Sequence, residues 1–288
     1  MKVGPKMKKE MYSSEITILR DTFRRLLRRH AKTNIVKLID KTHPADLALI
    51  FRYFNDTEQD SIFSSMSASE ETVEFLNELD ESITTRLIEN ETPNRLAEIL
   101  EEASSNEQAY LMGLIDGKFA ASVIELLQVE EQEELEEMMG YPEDSAGILM
   151  HTDVFTLHED TKAREAIYAL QDQEEAEMVF YLYTLDDDGR LTGVISLRDL
   201  VTTHGDTMLK DIMSKNIQAV RPETDQEEVA RIVSQYNFLA VPVVDSDEQL
   251  LGIVTVDNVV DVIREEATED FLQLAGAGKD REILLKSS

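Results

Sequence analysis

The sequence predicts an α+β multi-domain protein. An all-α superhelical N-terminal domain comes first, then a tandem α/β module, then a C-terminal connecting helix. Three observations carry this. Apolar residues recur at three- and four-residue spacing, without β-type alternation, as far as Gly140. From Ser145 short β-branched runs alternate with helical stretches. That second texture occurs twice, at matching positions. The expected divisions are 15–140, 141–203, 204–265 and 266–288.

In the first region the apolar sets are Leu47, Ile50, Phe51 and Phe54; Val73, Leu76 and Leu79; Leu96, Ile99 and Leu100; and Val123, Leu126 and Leu127. Pro44 and Pro93 stand at helix starts, and Ser69 or Glu70 opens another segment. Short helices in series predict stacked helical hairpins. A first helix of about Ile16 to Asp40 is basic, with Arg20, Arg24, Arg25, Arg28, Arg29, Lys32 and Lys37. It is either a docking strip for acidic lipid or an acidic partner, or a solvated face that offsets acids elsewhere.

In the second region two halves align. Met150, Val154, Leu157, Thr161 and Glu165 match Met213, Ile217, Val220, Thr224 and Glu228 at an offset of 63. Leu191, Gly193, Ser196 and Asp199 match Leu250, Gly252, Thr255 and Asn258 at an offset of 59. The first half therefore holds about four extra residues, near Gln173 to Met178. Each half reads as strand, helix, strand, turn, strand, helix. The strands are MVFYLYTL and GVISL, then AVPVV and GIVTV, with DDDG and DSDE as hairpin turns. DDDG lacks the ligand spacing and closing Glu of a calcium loop.

The last stretch is the most heavily charged. Glu223, Asp225, Glu227, Glu228, Asp245, Asp247, Glu248, Asp257, Asp261, Glu265, Glu266, Glu269 and Asp270 are thirteen acids with only Arg231 and Arg264 among them. Two like charges about 4 Å apart repel by roughly 1 kcal/mol even in bulk water. A divalent cation offsets that cost, and Mg2+ needs only one or two carboxylates per ion beside its waters. Asp225 and Glu227 open the first helix of the second half. Asp257, Asp261, Glu265 and Glu269 form a stripe on the final helix, with Val259, Val260, Ile263, Ala267 and Phe271 on another facing the core or a partner. The alternative is a solvated acidic face.

Net charge of −31 argues against nucleic acid as a partner. With no cysteine, disulfides, thiolate metal sites and thiol catalysis are excluded, and a reducing compartment fits. The first residues have no apolar core of a signal peptide, and no run of 18 apolar residues occurs. His30, His43, His151, His158 and His204 are scattered, and His43 reads as a structural residue at a helix start. No nucleophile–base pair or phosphate loop is present, so the chain is not expected to be an enzyme.

GVISLRDL and GIVTVDNV, each closing a strand–turn–strand into a helix, resemble the CBS domain, whose tandem pair forms the Bateman module. HPADLA (His43 to Ala48), GYPEDSAGILM (Gly140 to Met150) and EEATED extend the resemblance over roughly Asn34 to Gly278. Together they are similar to the cytosolic half of the MgtE family of magnesium transport proteins. The resemblance implies a magnesium-sensing and gating region at the cytoplasmic face of the cell membrane, continuing into a membrane domain after KSS. It implies Mg2+ at the positions of Asp225, Glu227, Asp261, Glu266, Glu269 and Asp270. Two departures occur: Asn258 stands where the family commonly has a second Asp of VDD, and Asn237 where an Asp commonly follows Tyr236. CBS pairs also imply a homodimer through their helices, and ATP or another adenine nucleotide as ligand. Ser196 and Asp199 would then meet the ribose, and Tyr181 and Phe238 flank the adenine. The alternative function is an adenine-nucleotide-sensing CBS module of some other protein.

Overall fold

A computed structural model describes residues 5–142, 144–172, 180–260 and 262–263. The chain forms two compact units, Met1–Glu136 and Glu137–Ser288.

The first unit is all helix. Its helices are α1 (Pro5–Arg28), α2 (Lys32–Ile39), α3 (Pro44–Phe51), α4 (Asp56–Phe63), α5 (Glu70–Asn77), α6 (Glu81–Glu89), α7 (Pro93–Leu100), α8 (Ser105–Gly113), α9 (Gly117–Ile124) and α10 (Val129–Met138), which runs into the second unit. Local chemistry sets the starts. Asn55 and Glu58 form a capping box before α4, and the Thr92 hydroxyl accepts from Arg95 N before α7. Pro44 and Pro93 occupy first-turn positions whose N–H groups lack helical partners anyway. The His43 ring accepts from Ala45 N, so this histidine is a helix cap. One expectation is corrected: the first basic helix breaks in two, because His30 adopts φ 49° between α1 and α2.

Helices α3, α5, α7 and α9 pack in series, each on the next. Phe51 and Phe75 meet edge to face at 5.0 Å between the first two. A repeated polar stitch joins each intervening helix to the one before it. Gln59 Nε2 donates to Phe51 O at 3.1 Å, Thr84 Oγ1 to Leu76 O at 3.0 Å, and Gln108 Nε2 to Leu100 O at 2.9 Å. Each donor lies eight residues after its acceptor and satisfies a carbonyl at or near a helix end. The superhelix is therefore built from helical hairpins with one internal bond pattern.

The basic strip is partly structural. Arg24 donates to Tyr53 O and lies 5.8 Å from the Phe54 ring centroid, and Arg20 bonds Asp21 and lies over Tyr53. These contacts tie α1 to the chain just past α3. Arg25, Arg28 and Arg29, with Asp21 and Arg24, line a shallow hollow of about 440 Å³.

The second unit contains α11 (Ala146–Leu149), β1 (Thr156–His158), α12 (Ala163–Gln171), β2 (Tyr181–Leu185), β3 (Leu191–Ser196), α13 (Leu197–Thr202), α14 (Gln226–Tyr236), β4 (Ala240–Val244) and β5 (Leu250–Thr255). A further helix starts at Val256. β1 runs parallel to β2, and β2 antiparallel to β3. β4 and β5 repeat the antiparallel pair.

The internal repeat is a structural pseudo-twofold. Leu157 pairs with Thr184, and at the matching positions Val220 bridges Val243, again parallel. His151 bridges Ile253 and Ser214 bridges Val194, so each half adds an edge to the other half's sheet. The hairpins match too. Asp186 Oδ1 accepts from the backbone of Asp188 and Arg190, and Asp245 Oδ1 from Asp247 and Gln249. These carboxylates serve their turns, which agrees with setting the calcium loop aside. Both turns need positive φ at the same place, supplied by Gly189 (79°) in one and Glu248 (64°) in the other.

On the final helix Val259 and Val262 are buried, whereas Val260 and Ile263 are exposed, so of the expected apolar stripe Val259 faces the core and Val260 and Ile263 are open to a partner. The acidic stripe beyond Asp257, with Asp261, Glu265 and Glu269, lies outside the described residues, as does the segment with the four extra residues. No described helix is long and apolar enough to cross a membrane.

Candidate functional site

A cleft of about 240 Å³ opens in the second unit, and all four residues expected at a nucleotide line it: Tyr181, Ser196, Asp199 and Phe238. The two halves of the repeat build it jointly. Tyr181 and Tyr183 stand on β2, Val194 and Ser196 on β3, Asp199 in the first turn of α13, and Ala240 and Pro242 on β4. Ser214, Asn216, Ile217 and Gln218 come from the segment before α14. Side chains alternate across a strand, so Tyr181 and Tyr183 point to one face, as do Ala240 and Pro242.

Polar and aromatic groups are held separately. Ser196 is the N-cap of α13, and its hydroxyl accepts from Asp199 N at 3.1 Å and donates to Asp199 Oδ2 at 2.7 Å. Asp199 thus sits inside the helix rather than before it, with its exposed carboxylate fixed by the cap. Phe238 is aimed by Asn237, which ends α14 in the left-handed conformation at φ 54°, ψ 42°. Asn tolerates that conformation far better than most residues. This gives a backbone reason for Asn237 that its missing charge did not suggest. Tyr236 stacks on Phe238 at 5.4 Å.

The pseudo-twofold is broken at the cleft. Where Asp199 is exposed in one half, Asn258 in the other accepts from Thr255 Oγ1 at 2.6 Å and lies 3.1 Å from His151 Nε2. His151 occupies the position that Ser214 holds at the open cleft. A large ring, bonded to Asn258, stands in place of a small hydroxyl beside Asp199. Gly252 permits this crossing, since a Cβ there would come within 2.6 Å of His151 O.

Sequence reading passed over Tyr183. It lines the cleft almost wholly buried, in a cluster with Ala240 and Ile253. Burial, and the nearby Tyr181, push its pKa far above the ordinary tyrosine value. The period-two pattern of YLYTL could have flagged it, since it shares a face with Tyr181.

The acidic set is divided. Asp225 caps α14, its Oδ1 accepting from Glu227 N at 2.9 Å, and Glu227 is exposed in the first turn. Helix polarity favours acids there. Yet the fold does not demand them, because the matching positions at the start of α12 are Lys162 and Arg164. Among the described residues no group of three or more Asp, Glu or His side chains is placed to hold a metal ion. Asp261, Glu266, Glu269 and Asp270 lie outside the described residues.

The MgtE intracellular N domain family matches residues 42–144, and the CBS domain family matches 146–204 and 209–265. The chain is 43% identical over 148 residues to a magnesium transporter MgtE of Enterococcus faecalis, covering 51% of this chain and 33% of that protein. It is 39% identical over 180 residues to the magnesium transporter MgtE of Thermus thermophilus, covering 62% of this chain and 38% of that protein. The chain thus spans well under half the length of both. A crystal structure of the cytosolic domain of the Mg2+ channel MgtE in complex with ATP superposes with a TM-score of 0.80 at 31% identity, over 84% of this chain and 99% of that one.

Proposed function

Because the chain belongs to the MgtE family, carrying its intracellular N domain followed by two CBS domains, we propose that it is the magnesium-sensing and gating region of a magnesium channel or transporter. It works at the cytoplasmic face of the cell membrane, as a homodimer, on a membrane domain that follows it. Its parts are a helical domain over 15–140, CBS units over 141–203 and 204–265, and a segment over 266–288 leading to the membrane. The family is one of magnesium transporters, and the chain is not an enzyme. The observation that carries the proposal is the 84% overlap with the cytosolic domain of a Mg2+ channel.

The donor chemistry fits a hard divalent ion. Asp225 and Glu227 offer exposed carboxylate oxygens two residues apart, one of them spent on the helix cap. Since no group of three or more such side chains among the described residues is placed to hold a metal ion, further ligands come from other acidic segments, of which Asp261, Glu266, Glu269 and Asp270 are the sequence candidates. Bound Mg2+ would supply the positive charge that lets such carboxylates approach. Without it their repulsion favours separation, and a ligand shifts that balance only by binding one state better. In a chain of net charge −31, several weak sites acting together give a steep response.

The test is scattering and limited proteolysis at matched ionic strength. Millimolar Mg2+ should contract the radius of gyration and slow cleavage relative to EDTA. Asp225→Asn combined with Glu227→Gln should weaken that response several-fold. Identical profiles in Mg2+ and EDTA would remove the switch.

A second reading rests on the cleft. Tyr181 and Phe238 there suit the two faces of an adenine, and Ser196 with Asp199 a ribose, so the region also takes ATP or a related adenine nucleotide. The relative crystallised with ATP supports this.

A further inference from the structure

Among the described residues, one buried side-chain polar atom has no hydrogen-bond partner, and it is the hydroxyl of Tyr183. Tyr183 is 1% exposed and lines the cleft. A buried hydroxyl without a partner costs free energy that a phenylalanine ring would not. The fold itself has no need of it, because the matching position in the other half is Pro242. Around it pack Val154, Leu191, Val194, Ala240, Leu250 and Ile253, with the Tyr181 ring edge to face at 6.4 Å between centroids, and its hydroxyl bonds none of them. The cleft therefore has a polarity gradient. Its floor is buried and apolar apart from one neutral hydroxyl, at Tyr183, Ala240 and Pro242. Its mouth is exposed and polar, at Asp199, Ser214, Asn216 and Gln218.

We propose that the Tyr183 hydroxyl is a specificity-determining group, which hydrogen-bonds the polar edge of the ligand's base and so fixes the ligand base-inward with its phosphates at the mouth. This rests on the adenine-nucleotide reading of the cleft. A phosphate at the floor would lose its water without gaining a counter-charge, whereas a heterocyclic nitrogen or an exocyclic amine needs only one neutral partner. The phenol can serve either, as donor to a ring nitrogen or acceptor from an amine. Its raised pKa keeps it protonated throughout the working range.

Calorimetry of the full chain with adenosine, AMP and ATP, comparing wild type with Tyr183→Phe, tests this. The variant should lose about 3- to 10-fold in affinity for all three, by the same factor, because the missing bond is to the base they share. Its melting temperature should hold or rise, since an unpartnered hydroxyl has left the free protein. Purine riboside and the 1-, 3- and 7-deaza analogues of adenosine then locate the bond: the analogue lacking the atom that Tyr183 meets binds both proteins equally. Should the variant not fold, that series on wild type decides, with one analogue losing at least threefold. Equal binding of adenosine by wild type and Tyr183→Phe, or no loss across the analogues, overturns the inference and leaves the nucleotide reading standing, with buried water as the partner. No binding of any adenine ligand to wild type overturns both.

Discussion

At the scale of the residue, the pseudo-twofold supplies an internal control. Asp199 and Asn258 occupy matching positions, and each accepts from the hydroxyl three residues before it, Ser196 in one case and Thr255 in the other. The shared bond therefore needs only an acceptor oxygen, and either side chain provides it. What Asn258 lacks is the charge, and what it gains is His151. This separates structural and functional effects at Asp199. Asp199→Asn keeps a group that accepts from Ser196 Oγ and should change stability by less than about 0.5 kcal/mol, within the range of ordinary surface substitutions. Affinity for ATP, AMP and adenosine should fall about tenfold or more, because hydrogen bonds from a ribose to a charged acceptor are worth more than to a neutral one. Calorimetry paired with thermal melts checks both. Unchanged affinity would leave Asp199 as a partner of the Ser196 cap alone.

At the scale of the element, the helical superhelix depends on a bond that periodicity does not reveal. Gln59, Thr84 and Gln108 lie in separate helices, and each satisfies a carbonyl at or near the end of the helix before. Thr84 is the sharpest case, since it is fully buried. Thr84→Val keeps the shape and deletes the donor, leaving Leu76 O without that partner. It should destabilise by about 1–2 kcal/mol, read as a lower urea midpoint with unchanged slope by circular dichroism. A loss below about 0.3 kcal/mol would mean that the stitch adds little to packing. The spacing of Leu, Ile and Phe made the helices legible in the sequence, and Pro44, Ser69 and Pro93 made their starts legible. The break between α1 and α2 was not, because His30 continues a basic, helix-compatible pattern and only its φ of 49° interrupts it.

At the scale of the whole molecule, the repeat offers a surface on which the proposed dimer can be tested. Val201 on α13 and Val260 on the final helix occupy matching positions and are 57% and 40% exposed, and Ile263, one turn on from Val260, is 48% exposed. Exposed valines at both matching positions are consistent with an apolar strip across a symmetric partner. Val201→Glu combined with Val260→Glu should convert a dimer to a folded monomer in sedimentation velocity, with an unchanged circular dichroism spectrum. A wild type that sediments as a monomer at about 100 µM would remove the dimer from the proposal. The double variant also asks whether the cleft, which lies within one unit, works without a partner copy: adenosine affinity should hold within about twofold.

The sequence by itself determined the helical character of the first region, the tandem repeat with its offsets of 63 and 59, the strands and turns of each half, and the family. The elements follow from local signals: apolar period, helix starts, turn residues and recurrence. The family follows from resemblance of whole motifs, and that resemblance also implied Tyr181, Ser196, Asp199 and Phe238. Only the tertiary structure decided that the two halves build the cleft jointly, that His151 meets Asn258 at the matching position, and that among the described residues the buried Tyr183 hydroxyl has no hydrogen-bond partner. Those properties depend on what the other half of the repeat brings to the same point. Residues such as His151 and Asn258, or Tyr183 and Pro242, are far apart along the chain, and no local pattern records how much space or polarity each leaves for the other.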